Sequence, residues 1–386
     1  MTTAILFLLI LSVLVLIHEA GHYFAALIFG VKPEEFGYGF PPRAIGFVKV
    51  NGKWKKVPGR DRSEYKNTIW SINWLPLGGF VRLKGETGES DDADSFLSKP
   101  GWQKFIILAA GVVMNWLFAA AVFSAGFSIG VPAETRELPS YAIVSDRRIQ
   151  VTEVVSGSAA EQAGFKLGDR FISIDGESKS NADEFRAVLA EKSAEDNTLA
   201  IVISRNGQTQ TIQTKAAYVE ALGRNGLGVA LTDTGTVRFP VHLAIAQGFS
   251  TAFEYTKLII GGFFSLIRDL FIDRKVTADL SGPVGIAVLT GSVAEQGFWA
   301  LMQFSALLSL NLAVINFLPI PALDGGRAVF VVVETLRRRR NDPRFEAAIH
   351  QLGFVALLIL IFLVTAQDLR RYGGAIWGGL KGLIGL

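Results

Sequence analysis

The chain has 386 residues, of which 50% are hydrophobic and 19% are charged, and its mean hydropathy is +0.35. Soluble domains carry about 25% charged residues, so this composition favours a membrane protein over an ordinary cytosolic enzyme. The net charge of +3 makes nucleic acid a poor partner, and the absence of cysteine from the sequence excludes disulfides, thiolate zinc sites and cysteine nucleophiles.

Four apolar runs predict four transmembrane helices, at about residues 4–30, 105–131, 298–336 and 352–366. The first run contains one polar island, His18-Glu19-Ala20-Gly21-His22, and the third is broken at Pro319 and Pro321 before it resumes at residue 328. A cleaved signal peptide is a weaker interpretation of the first run, because no Lys or Arg precedes it. Four spans place both termini on the same side of the membrane.

Basic residues predict which loops face the cytoplasm. The loop 31–101 is rich in Lys and Arg, and four consecutive Arg at 337–340 follow the third span. By the positive-inside rule both loops are cytoplasmic, so the termini and the segment 131–297 lie outside the cytoplasm. Within that segment, residues 239–297 include an apolar stretch, 240–272, with charges spaced through it. We expect amphipathic helices there that lie on the outer membrane surface and contact lipid, with a linker after them.

Residues 131–238 have the composition of a soluble domain. Their pattern predicts a strand at 149–155, a capped helix at 181–191 and a hairpin formed by 199–205 and 208–215. The string GSAAEQAGFKLGDRFISIDG resembles bacterial PDZ domains, and the resemblance covers about residues 140–217. It implies a groove that binds an extended peptide by strand addition. A domain that only blocks access sterically fits the same string, and both interpretations stay open.

The polar island of the first span is an H-E-x-x-H motif. His18 and His22 are four residues apart, so on a helix both imidazoles project from one face and can share a zinc ion. Glu19 then lies beside the metal, where its carboxylate can take a proton from a bound water. The remaining histidines, His242 and His350, are expected to be structural or surface groups.

A third metal ligand is expected among carboxylates within the membrane, because catalytic zinc keeps three protein ligands and one open position. Asp324 stands out, since it follows Pro319 and Pro321 late in the third span. Broken backbone is tolerated at membrane depth where it lines a site, and an isolated carboxylate there is a functional candidate. If spans one and three run in the same direction, Asp324 lies at the depth of His18 and His22.

Taken together, these motifs resemble the site-2 protease family of intramembrane zinc proteases, in its bacterial regulator-of-sigma-E protease branch. The resemblance rests on H-E-x-x-H, a PDZ-like domain between spans two and three, and N-x-x-P-x-P-x-L-D-G at 316–325. It extends to the segments 76–82 and 281–287 and covers nearly the whole chain. It implies that His18, His22 and Asp324 bind Zn²⁺ and that Glu19 is the general acid and base.

The resemblance also implies a substrate-binding region. Asn316 would hydrogen-bond the substrate backbone or the oxyanion, and residues 69–83 would form a membrane re-entrant β-hairpin whose edge pairs with an unwound substrate. The substrates it implies are membrane proteins with a single transmembrane helix, such as anti-sigma factors or remnant signal peptides. The candidate substrate-binding residues are Gly78, Gly79, Phe80, Val81, Pro319 and Pro321.

The expected architecture is a polytopic α-helical membrane protein with four transmembrane helices, an inserted PDZ-like α+β domain and a re-entrant β-hairpin. Its parts are a first membrane half (1–130), the PDZ-like domain (131–238), the linker with interfacial helices (239–297) and a second membrane half (298–386). Two rival functions are an inactive, membrane-tethered PDZ adaptor and a metal transporter. The intact H-E-x-x-H and Asp324 argue against the adaptor, and span two lacks the carboxylates a transporter would need.

Overall fold

The computed structural model describes residues 2–61, 63–86, 92–136, 138–193, 198–205, 207–219, 224–269, 272 and 281–384. Two compact units are present. The helical unit comprises Met1–Ser124 and Ala246–Leu386, and the sheet unit comprises Ala125–Ile245. The helices are α1 (Thr2–Ile28), α2 (Gly101–Ile129), α3 (Ala159–Gln162), α4 (Ala182–Ser193), α5 (Val241–Arg268), α6 (Pro283–Ala294), α7 (Phe298–Phe317), α8 (Asp324–Arg337) and α9 (Pro343–Ile384). The strands are β1 (Pro33–Val50), β2 (Lys53–Pro58), β3 (Ile69–Leu83), β4 (Val131–Glu134), β5 (Ile143–Val154), β6 (Arg170–Ile174), β7 (Thr198–Arg205), β8 (Gln208–Lys215), β9 (Ala217–Val219), β10 (Arg224–Gly226) and β11 (Val229–Arg238).

Four helices of the described chain are long and apolar enough to cross a membrane, namely α1, α2, α7 and the part of α9 from Pro343 to Arg371. The described chain therefore has as many helices able to span a membrane as the sequence predicts. The fourth helix begins at Pro343, earlier than the predicted 352. Its first turn contains the charged residues Arg344 and Glu346, which a hydropathy pattern excludes from an apolar span but which a helix accommodates. The described part of the amphipathic segment 240–272 contains helix α5, which is not among the four; its place at the membrane surface stays a prediction.

The break predicted in the third span at Pro319 and Pro321 is present, and it separates two helices. Helix α7 ends at Phe317, and α8 begins at Asp324, four residues before the predicted restart at 328. Proline lacks an N–H and disfavours helical backbone at the residue before it, so Pro319 and Pro321 keep the connection non-helical. Asp324 can then begin the next helix, since a carboxylate is favourable in a first helical turn.

A sheet with the strand order β2-β1-β3 lies between α1 and α2 in sequence. Strand β3 pairs with β1 through two arms: residues 69–73 lie between two stretches of β1, whereas residues 79–83 pair with residues 33–38 on one side only. The arm 79–83 is therefore an edge, and β3 packs against α1. Strand structure is present over the predicted hairpin, while its re-entry into the membrane stays a prediction.

Glu35 of β1 is buried in this sheet and forms an ion pair. The Nε of Arg43 donates to its Oε1 at 2.7 Å, and the guanidinium also contacts Oε2. Burial disfavours the charged carboxylate, but the hydrogen bonds and positive charge of Arg43, with that of Arg82, outweigh it. They hold the pKa of Glu35 below its ordinary value.

Helices α1 and α2 approach each other closely at Gly21. A Cβ on Gly21 would lie 2.3 Å from the carbonyl oxygen of Ala110, so only glycine allows this contact. Around it, Ala25, Ala26 and Ile107 are buried in one apolar cluster. The close packing places the polar face of α1 directly against α2.

The sheet unit is built on six strands in the order β4-β11-β5-β6-β7-β8. Helix α4 packs Phe185 into an apolar core that includes Phe171 and Ile201. The predicted strand, helix and hairpin are present as β5, α4 and β7–β8. The unit contains the predicted PDZ-like segment 131–238, whose boundaries stay a prediction.

The sheet unit contains an ion pair between the buried Asp169 and Arg205, whose loss should lower the stability of the unit. Asp169 is 1% exposed and accepts from the Nε and Nη2 of Arg205 at 2.7 and 2.6 Å. Asp169→Ala leaves the guanidinium unpaired, which we expect to destabilise the unit by about 3 kcal/mol. Proteolytic cleavage within 125–245 of the full-length chain should then accelerate about a hundredfold. The exposed pairing of Asp146 with Arg148 and Arg170 supplies the control: Asp146→Asn, which suits the left-handed backbone of this residue (φ +50°), should change the rate less than about fivefold. Equal effects of the two changes would contradict the expectation.

Candidate metal centre

The two histidines of α1 face each other across one helical turn. Their Nε2 atoms are 3.2 Å apart, and the rings meet edge-on with their centroids separated by 4.8 Å. Both residues are buried. This is the arrangement expected for residues at i and i+4 of a helix.

Asp324 completes a compact cluster from the other half of the chain. Its Oδ2 lies 2.8 Å from the Nε2 of His18 and 3.4 Å from the Nε2 of His22. Each of the three residues offers one ligand atom, and within the described chain they form the only group of three that could hold a metal ion. The structure thus brings together the three predicted metal ligands, although Asp324 lies 306 residues after His18 in the sequence.

The hydrogen bonds around the histidines fit metal binding. The Nδ1 of His22 lies 2.8 Å from the carbonyl oxygen of Ile107, which can only accept, so Nδ1 is the donor and the Nε2 of the neutral imidazole has its lone pair available for a metal. The Nδ1 of His18 lies 3.5 Å from the side-chain amide of Asn115, whose Oδ1 is buried without a partner in the described chain. Rotating that amide would turn Oδ1 toward an Nδ1–H of His18. Two imidazole nitrogens and one carboxylate oxygen are a donor set typical of catalytic zinc.

The connection before Asp324 is held by groups that the sequence analysis missed. Ala322 has φ +78°, and its N–H donates to the Nδ1 of His350 on α9 at 2.9 Å. A Cβ on Gly353 of α9 would lie 2.5 Å from the carbonyl oxygen of Pro321. The structural role expected of His350 is therefore confirmed as a contact with the connection before Asp324: its ring accepts the hydrogen bond that holds this turn. No local pattern points to it, since the two segments meet only in the folded chain.

Gly111 of α2 is a second group that sequence reasoning did not assign to the site. A Cβ at this position would lie 2.6 Å from the Nε2 of His22 and 2.8 Å from the Nε2 of His18. The space beside both candidate ligands therefore depends on a hydrogen at this position. A small residue in an apolar helix was the only available signal.

Glu19 contacts the edge arm of β3. Its Oε2 accepts from the backbone N–H of Val81 at 2.9 Å. Gly79 of this arm lies beside Leu16 of α1, and the preceding residue, Gly78, lies beside Val15. The candidate base thus adjoins the strand that carries several predicted substrate-binding residues.

The other predicted site residues belong to the end of α7, the connection before Asp324 and strand β3. The Nδ2 of Asn316, at the end of α7, is 3.3 Å from the Nε2 of His18. Pro319 and Pro321 lie in the connection that precedes Asp324, and the ring of Phe80 lies over Gly37 of β1. The distances place Asn316 at the cluster, whereas the contribution of the two prolines and Phe80 to substrate binding stays a prediction.

Comparison with known families identifies the chain. The family model of peptidase family M50 matches residues 6–57 and 60–360, which is most of the sequence. The chain belongs to peptidase family M50. This is the family of site-2 proteases that the motifs predict, so the predictions of a zinc metalloprotease, of its Zn²⁺ cofactor and of a membrane protein are confirmed.

Relatives support this membership over nearly their full length. A Clostridium perfringens protein provisionally named a zinc metalloprotease is 31% identical over 94% of this chain and 97% of its own. Zinc metalloprotease RasP of Oceanobacillus iheyensis is 28% identical over 96% of this chain and 99% of its own. The RasP of Geobacillus kaustophilus is also 28% identical, over 95% of this chain and 97% of its own.

Among solved structures, the matches include two PDZ domains of SdrC-like proteins. The one from Listeria monocytogenes is 19% identical, covering 25% of this chain and 93% of its own, with a TM-score of 0.20. The one from Listeria innocua is 25% identical, covering 22% of this chain and 92% of its own, also with a TM-score of 0.20.

Proposed function

We propose that this M50 peptidase hydrolyses peptide bonds within transmembrane segments of other membrane proteins. His18, His22 and Asp324 would hold the Zn²⁺. The observation that carries the proposal is the meeting, inside one helical unit, of this three-residue cluster with a carboxylate and a strand edge. An edge strand binds an extended peptide, and a helical membrane substrate must unwind into such a form before its peptide bonds can be attacked.

Each residue then has a defined task. When bound, Zn²⁺ supplies a Lewis acid that makes water acidic enough to ionise near pH 7. Glu19 accepts the proton from the attacking water and delivers it to the leaving amine. The amide of Asn316 donates a hydrogen bond to the oxygen of the tetrahedral intermediate. The outward backbone groups of the edge arm 79–83 that have no partner within the protein, such as the N–H of Gly79, pair with the backbone of the unwound substrate and replace part of its helical hydrogen bonding.

The substrate class follows from the same arrangement. A single transmembrane helix presents no neighbouring helices that oppose unwinding, so we propose single-span proteins such as anti-sigma factors or remnant signal peptides. The PDZ-like domain, proposed to lie on the periplasmic side of a bacterial inner membrane, would restrict entry to substrates already trimmed. It would do so by blocking access or by binding a peptide in its groove, and the apolar helix α5 would contact lipid.

The rival adaptor function requires a site that has lost its chemistry. Here the candidate ligands, Glu19 and Asn316 lie at one place in the helical unit, which favours an active enzyme. An adaptor would tolerate the loss of any of them.

Metal removal is the direct test of the proposed function. The purified full-length protein in detergent should contain about one Zn²⁺ per chain and should cleave a model single-span substrate. Dialysis against a chelator should abolish both, and stoichiometric Zn²⁺ should restore both, because the cluster offers three of the four usual zinc ligands. Absence of Zn²⁺ after reconstitution, or cleavage that survives its removal, would contradict the proposal.

A further inference from the structure

The edge arm of β3 directs alternate N–H groups away from its sheet. Lys84 N–H donates inward to the carbonyl of Lys32 at 2.9 Å, so the N–H groups of Leu83 and Val81 point to the open side. Both are occupied by carboxylates. Val81 N–H donates to Glu19 at 2.9 Å, and Leu83 N–H donates to the Oε2 of Glu86 at 3.1 Å.

Glu86 has a second partner on a different element. Its Oε1 pairs with the guanidinium of Arg327 on α8. Arg327 lies three residues after Asp324, so both project from the first turn of the same helix. The side chains of Glu86 and Arg327 are only 20% and 30% exposed, a partly dehydrated setting in which charge-assisted hydrogen bonds are stronger than at a free surface.

These contacts connect α1, the edge arm of β3 and α8 to one another around the metal site. Asp324 meets His18 and His22 of α1, Glu19 of α1 meets the edge arm, and Glu86 connects that arm back to α8. We propose that Glu86 is a positioning residue, whose two carboxylate oxygens hold the edge arm of β3 at the correct distance from the helix that carries Asp324. It acts through the strand and does not touch the reacting atoms.

The distance matters because of where the substrate is held. This inference rests on the proposed function, in which the substrate backbone pairs with the edge arm while its scissile carbonyl reaches the metal site. A displacement of about 1 Å between a bound substrate and the catalytic groups can lower the rate about a hundredfold. Loosening the strand therefore lowers kcat, whereas KM changes little because the arm still offers the outward N–H of Gly79 and its outward carbonyl groups.

An isosteric change separates positioning from simple packing. Glutamine has the shape of glutamate, but only one of its two terminal atoms accepts a hydrogen bond. Glu86→Gln can therefore keep the bond to Leu83 or the bond to Arg327, but not both. If Glu86 only fills space, the variant behaves as the wild type; if it bridges two elements, the bridge is broken.

The experiment compares kcat, KM and Zn²⁺ content of the full-length protein in detergent, with a model single-span substrate. The variants are Glu86→Gln, Arg327→Met, the double variant and Glu34→Gln. The last is a matched control, since Glu34 pairs with Arg82 at the exposed face of the same sheet. We expect kcat to fall about tenfold to a hundredfold in each single Glu86 or Arg327 variant. The double variant should be no slower than the slower single one, with KM within about twofold, one Zn²⁺ retained and Glu34→Gln unchanged.

Each other outcome overturns the inference. Wild-type kinetics of Glu86→Gln would show that Glu86 contributes only packing. A gain in activity would show that Glu86 competes with the substrate for the edge arm. Additive losses in the double variant would show that the two residues act separately, and loss of Zn²⁺ would show a defect in the metal site itself. If the wild type fails to cleave any single-span substrate, the proposed function fails instead, so the two failures are distinguishable.

Discussion

Glu19→Gln is expected to retain Zn²⁺ and to cleave a single-span substrate about 10²- to 10⁴-fold more slowly than the wild type, the range typical for loss of a general acid–base group. The amide cannot accept a proton from water at neutral pH. Its oxygen can still accept from the N–H of Val81, so the contact between α1 and β3 is preserved. The measurement is the cleavage rate beside the Zn²⁺ content of the same preparations.

The control for this change is Glu35→Gln on β1, a buried carboxylate of the neighbouring sheet that pairs with Arg43. It tests whether removing any buried negative charge in this unit abolishes cleavage, and we expect a loss of less than about tenfold. A Glu19→Gln variant that cleaves at the wild-type rate would exclude Glu19 as the proton acceptor. A variant that has lost Zn²⁺ would instead show that Glu19 supports the metal site.

Gly111→Ala is expected to abolish or severely weaken Zn²⁺ binding. The added methyl group would lie 2.6 Å from the Nε2 of His22 and 2.8 Å from that of His18, which is shorter than any ordinary contact. The imidazoles must move, and shifts of groups that orient metal ligands lower metal affinity about 10- to 100-fold. Competition for Zn²⁺ with a chelator of known affinity measures the change.

Gly262→Ala on α5 is the matched control, because a Cβ there meets no atom within 4 Å. It introduces the same methyl group into an apolar helix and should leave Zn²⁺ affinity and cleavage unchanged. Equal Zn²⁺ affinity of Gly111→Ala and the wild type would show that the histidines do not bind the metal through the nitrogens that face α2.

Local sequence was sufficient for the features that depend on short-range periodicity. A spacing of four residues places His18 and His22 on one face of any helix, and an apolar run of sufficient length predicts a span wherever it occurs. The same applies to α4 and to the β7–β8 hairpin, whose capping and alternation patterns are local. The predicted restart of the third span at 328 is too late. Residues 324–327 are not apolar, so the hydropathy pattern does not include them, although Asp324 begins the helix.

The sequence by itself determined which residues make up the core of the site: an H-E-x-x-H on a helix, an aspartate after two prolines, and an asparagine nearby. Tertiary structure alone decided which backbone and side-chain groups surround those residues. The carbonyl of Ile107, the missing side chain of Gly111 and the link from His350 to Ala322 all come from other elements. So does the bridge of Glu86 to Arg327, across 241 residues. No pattern of a few residues encodes such contacts, because they exist only once packing brings distant segments together.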